Sequence, residues 1–140
     1  MTVCVDTNVL LQARATSHPY GVILDAFIFG SMRWAVSPSV MEEYREIILQ
    51  KCGTAAWRAM DALFEVLERR SIVVIVNPHF QFQVIANDPD DNKFTDCAIT
   101  TGADYVITSD RDFASLANAG YKPQPITPEA FIERYRGVYV

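Results

Sequence analysis

The chain has 140 residues, half of them hydrophobic and 11% aromatic, and its 17 acidic against 12 basic residues give a formal net charge of −5. At about this length roughly 70% of the unfolded surface can be buried, so we expect a single domain over residues 1–140 with a core that needs no staples. The composition excludes a disordered tail, a collagen-like chain and a coiled coil, and no run of about 18 apolar residues is available to span a membrane.

Residues 2–6, TVCVD, are apolar and β-branched and end on an acid, the pattern of a buried strand. Pro19 and Gly21 precede VILDAFIFG, which predicts a helix stopping near Gly30. RWAV at 33–36 reads as a short strand. Ser37 then offers an N-cap and Pro38 fits a first helical turn, so the next helix runs to Gly53. Thr54 is expected to cap AAWRAMDALFEVLERR, whose apolar positions 56, 57, 60, 63, 64 and 67 form a helical stripe. IVVIV at 72–76 is a buried strand, and 77–90 a loop with Pro78 and Pro89. The stretch from Asp90 predicts a helix ending at Gly102, followed by a strand, ADYVITSD, that ends at Asp110. RDFASLANAG predicts a short helix. Residues 123–126, with Pro123 and Pro125, are a poor strand candidate, and Thr127-Pro128 opens a last helix. Strands alternating with helices imply an α/β domain with a mostly parallel sheet covered on both faces.

Cys4, Cys52 and Cys97 are widely spaced, without a Cys-x-x-Cys pair, and fit small buried hydrophobes in a reducing cytoplasm better than a disulfide framework or zinc site. The opening MTVCVDTNVLLQARA lacks a charged n-region and does not read as a signal peptide. Neither G-x-x-x-x-G-K nor G-x-G-x-x-G occurs, which removes the simplest nucleotide-binding readings. His18 and His79 fall in loops without an obvious nucleophilic partner.

The charge is unevenly spread. Seven of the ten aspartates lie between 88 and 112: Asp88, Asp90, Asp91, Asp96, Asp104, Asp110 and Asp112. Two strands end in aspartate, at Asp6 and Asp110, so parallel neighbours would bring both carboxylates to one sheet edge, where α/β sites form. Thr7 and Asn8 beside the first, and Thr108 and Ser109 beside the second, are short polar groups able to orient a carboxylate. The alternative for each acid is a helix cap. At about 100° per residue, Glu43 falls within about 60° of Val40 and 40° of Ile47, at the border of a buried stripe, whereas Glu42 and Glu46 face water. Asp91 lies beside the Phe94, Cys97, Ala98 stripe. Asp96 falls about 160° from Phe94 and is expected to point outward.

Two carboxylates about 4 Å apart repel by roughly 4 kcal/mol at an effective dielectric of 20. Four in one place must take protons, spread, or bind cations, and an all-oxygen set suits Mg²⁺ or Mn²⁺. Such ions gather phosphates and activate water, which points to metal-dependent phosphodiester hydrolysis.

These residues also carry a family likeness. VDTNVLL at 5–11, VSPSVMEEYREII at 36–48, DPDDNKFTDCAITTGADYVITSDRDF at 88–113 and the ending ITPEAFIERY together resemble a PIN domain, within the bacterial group of toxin–antitoxin toxins. The resemblance implies a three-layer α/β/α sandwich with a parallel sheet, an acidic pocket for Mg²⁺ or Mn²⁺, and endoribonuclease cleavage of single-stranded RNA. By motif position its four acids fall on Asp6, Glu43, Asp91 and Asp110, with Asp6, Asp91 and Asp110 as metal ligands. Asn8, Asp96 and Asp112 take auxiliary or supporting positions. It further implies a protein antitoxin as partner and raises a homodimer contact through residues 22–29, for which core packing is the competing use. Arg14, Arg45 and Arg111 are candidates for holding RNA, by closeness in sequence to the acids. Two other classes compete: a metal-dependent phosphatase of doubly wound type, which would want an acid where Asn8 stands, and a non-catalytic module whose acids bind only a cation or a partner.

Overall fold

A computed structural model describes residues 1–15, 17–78, 92–117, 120 and 122–139. Five strands, β1 (Thr2–Val5), β2 (Arg33–Val36), β3 (Val73–Ile75), β4 (Tyr105–Ile107) and β5 (Gln124–Ile126), form one sheet in the order β3-β2-β1-β4-β5. Every pairing is parallel. Among the described residues seven α-helices accompany it: α1 (Thr7–Ala13), α2 (Gly21–Ile28), α3 (Pro38–Cys52), α4 (Thr54–Arg69), α5 (Asn92–Thr101), α6 (Ala114–Ala117) and α7 (Pro128–Tyr139). The architecture is the expected α/β/α sandwich. None of these helices is long and apolar enough to cross a membrane.

The strand order matters for function. From β1 the chain builds outward through β2 and β3, then returns to the other side of β1 with β4 and β5. The order therefore reverses between β1 and β4, and the crevice beyond their carboxyl ends is the usual ligand position of an open parallel sheet. Val5 pairs with Ile107 at that end, and the Asp6 amide donates to the Ile107 carbonyl at 2.9 Å.

An aromatic cluster fixes what stands over the crevice. Trp34 on β2 is fully buried, stacked on Phe27 at 4.5 Å and tilted against Phe64 at 4.7 Å. Its indole N–H donates at 3.4 Å to the hydroxyl of Tyr44 on α3, which donates in turn to the Val5 carbonyl. Burial drives the Tyr44 phenol well above its ordinary pKa, so it remains a neutral donor. One side chain of α3 is thus tied to the last carbonyl of β1, next to Asp6. Ser37 starts α3 as expected, its Oγ accepting from the Val40 amide at 3.2 Å, with Pro38 in the first turn.

Several expectations need correction. The sequence reading gives residues 7–13 no element, yet they form α1, which follows β1 with only Asp6 between. Gly53, at φ 91°, both ends α3 and stands before α4, so Thr54 is the first helical residue rather than its cap. The poor candidate at 123–126 is a true strand: β5 lies at the sheet edge, and the missing N–H of Pro125 faces away from β4, because Gln124 donates inward to the Asp104 carbonyl. The segment after Asp110 divides into a 3₁₀ turn, Arg111–Phe113, and the single turn α6.

Candidate functional site

Asp6 and Asp110 do emerge at one edge, on either side of the β1/β4 crevice. Asp6 is 6% exposed, at the foot of the crevice, while Asp110 stands exposed on its rim. Thr108 joins them: its hydroxyl donates to Asp6 Oδ2 at 2.8 Å and accepts from the Asp110 amide at 3.0 Å. Asp110 also caps the following turn, Oδ1 accepting from the Asp112 amide at 2.9 Å, so one of its oxygens has a structural use. Asp6 precedes α1 but makes no side-chain cap bond to it. The capping alternative accounts for part of Asp110 and not for Asp6.

Glu43 lies on α3 where the helical arithmetic puts it, half-buried next to Tyr44, with Glu42 and Glu46 exposed. Both its oxygens are engaged. Oε2 accepts from the Thr7 hydroxyl, and Oε1 accepts from the Lys93 ammonium at 3.0 Å. Thr7 and Thr108, two of the polar neighbours read from the sequence, therefore do orient carboxylates, although the Thr7 hydroxyl serves Glu43 and only its backbone amide serves Asp6. Beyond Glu43 opens a groove of about 670 Å³ whose walls include Glu42, Glu46 and Lys93.

Electrostatics link the three described acids. The carboxyl of Asp6 is pushed up to about 6, chiefly by burial. The Thr108 hydroxyl and Thr7 amide pull it back down, while the charges of Glu43 and Asp110 push it further up. Among the described residues no cation lies within salt-bridge distance of Asp6 or Asp110, whereas Glu43 has Lys93. Among those residues no three His, Cys, Asp or Glu side chains close into a ready cluster for a metal ion. Asp91, like Asp88, Asp90 and His79, lies outside the described residues.

The auxiliary positions divide. Asn8 is exposed on α1, and Asp112 is half-buried in the 3₁₀ turn. Asp96 contradicts the expectation that it points outward: it is only 8% exposed. The helical angle is right but its premise fails, because α5 packs on β1, β2 and β4 and is also covered by α3, leaving residues 94–98 no free face. Of the candidate basic residues, Arg14 donates to Cys52 Sγ at 3.3 Å and exposed Arg45 pairs with Glu42 at 3.5 Å. Arg111 is exposed beside Asp110. Among the described residues Lys93, which the sequence does not single out, is the basic residue that reaches an acid of the site. His18 is not isolated: Nδ1 accepts from the Tyr20 amide at 3.1 Å and its ring meets Tyr20 at 4.5 Å.

A parallel α/β sandwich with strand-end acids at its switch point presents carboxylates where open sheets take their ligands. Residues 2–112 match the PIN domain family, and the chain belongs to it. PIN domains are generally nucleases and usually employ divalent metal ions. No curated protein and no solved structure matches the chain.

Proposed function

We propose that this protein is a Mg²⁺- or Mn²⁺-dependent endoribonuclease acting on single-stranded RNA, built as one PIN-like domain over residues 1–140, and that it serves in the cytoplasm as the toxin of a toxin–antitoxin pair. The supporting observation is Asp6, a buried carboxylate at the switch-point crevice with two further acids acting on it and no described cation to balance it. Asp6, Asp91 and Asp110 would hold the ion, and an all-oxygen donor set of this kind fits a hard divalent cation. When bound, such an ion supplies Lewis acidity toward water and phosphate.

The chain's own residues set the geometry. Thr108 fixes the rotamer of Asp6 and ties it to the backbone at Asp110, so two donor groups from neighbouring strands share one anchor. Glu43, held on α3 by Thr7 and Lys93 and near enough to act on the charge of Asp6, would orient an attacking water. Tyr44 keeps α3 in register with β1. Cleavage of a single-stranded RNA by wild type and Asp6→Asn, each in Mn²⁺ and in EDTA, tests the proposal. We expect turnover only by wild type with Mn²⁺; equal activity in both proteins, or cleavage that survives EDTA, would reject it. An aryl phosphate run in parallel separates a nuclease from a phosphatase.

A further inference from the structure

Charge is shared unequally among the three described acids: Asp6 and Asp110 have no described cationic partner, while Glu43 carries an ammonium at 3.0 Å. Lys93 reaches it from the first turn of α5, fifty positions along the chain, and the pair is largely shielded, with side chains 27% and 21% exposed for Lys93 and Glu43. The other Glu43 oxygen accepts from Thr7, so each oxygen already has a partner and a second cation would have to share the carboxylate with the ammonium. A long, flexible ammonium is the kind of cation that can leave, because the groove of about 670 Å³ beside it gives it somewhere to go.

We propose that Lys93 is a built-in counterion of the acidic site, a positioning residue that competes with the divalent ion for Glu43. In the metal-free protein it balances Glu43 and holds it against Thr7. A divalent ion entering at Asp6 and Asp110 draws on that carboxylate and drives the ammonium off it, so Lys93 weakens the metal's binding. The inference rests on the metal-dependent reading above.

Calorimetric titration of Mn²⁺ into wild type, Lys93→Gln and Lys93→Arg tests it without any catalytic readout. Lys93→Gln should bind Mn²⁺ about fivefold more tightly, the scale of one partly shielded ion pair, while Lys93→Arg stays close to wild type. An affinity in Lys93→Gln equal to or weaker than wild type overturns the inference, and so does an equal gain in Lys93→Arg. Wild type that takes up no Mn²⁺ would refute the metal-dependent reading and this inference with it, whereas metal uptake indifferent to Lys93 sinks the inference alone. Should Lys93→Gln fail to fold, the wild type decides: saturation with Mg²⁺ should speed acylation of Lys93, read by peptide mass spectrometry, and an unchanged rate overturns the inference.

Discussion

Replacing Asp6 by asparagine should make the metal-free protein more stable while abolishing its activity. Burial raises the Asp6 carboxyl from 3.8 to about 6, so between those values the folded chain holds a proton that the unfolded chain has released. Stability from this group is therefore greatest below pH 3.8 and falls as pH rises through the window to 6. About two units correspond to roughly 3 kcal/mol of cost once the carboxylate is fully charged. Asparagine carries no charge, and its amide oxygen can still accept from Thr108. Allowing for the new amide N–H₂ group, we expect Asp6→Asn to gain about 1–3 kcal/mol near pH 7.5 in EDTA, shrinking to about a third of that near pH 4.5. Urea unfolding at the two pH values measures the difference. Added Mn²⁺ should reverse the ranking, since an ion at 1,000 times its Kd stabilises only the protein that binds it, by about 4.1 kcal/mol. A variant less stable than wild type at both pH values in EDTA, or a gain that ignores pH, would refute the reasoning that Asp6 is a buried, uncompensated charge.

Two further outcomes follow from the supports of the site. Thr108→Val removes the hydroxyl that serves both Asp6 and Asp110, so it should cost about 1–3 kcal/mol, raise the Asp6 pKa further in a titration followed by NMR, and lower RNA cleavage at least tenfold. Ser37→Ala removes the cap of α3 and should cost about 1 kcal/mol in urea unfolding, with Mn²⁺ affinity unchanged because Tyr44 still holds the helix to β1.

The parts of this account that were legible in the sequence are those governed by local geometry. Ser37-Pro38 fixes where α3 begins, so counting at a helical period placed Glu43 at the edge of the buried face. Alternating strands and helices imply a parallel sheet, so strands ending in Asp6 and Asp110 are expected to share a sheet edge, whereas their adjacency is a matter of strand order that the pattern leaves open. What stayed hidden depends on tertiary packing. Helical arithmetic sends Asp96 to solvent because it assumes one buried face, whereas α5 is covered by the sheet and by α3 together. The helix α1 follows β1 with no glycine or proline to mark the change, so its seven residues carry no boundary signal. Pro125 argued against a strand, and only the edge position of β5 makes it tolerable. The pairing of Lys93 with Glu43 spans fifty residues, and nearness along the chain pointed instead to arginines that engage Cys52 and Glu42.

The central claim is that a hard divalent ion is held at the crevice between β1 and β4. A crystal soaked in Mn²⁺ and measured at the manganese absorption edge tests it most directly. An anomalous peak in contact with carboxylate oxygens of both Asp6 and Asp110 is expected, absent in Asp6→Asn. Manganese bound only at other surfaces, with that crevice empty under the same soak, would contradict it.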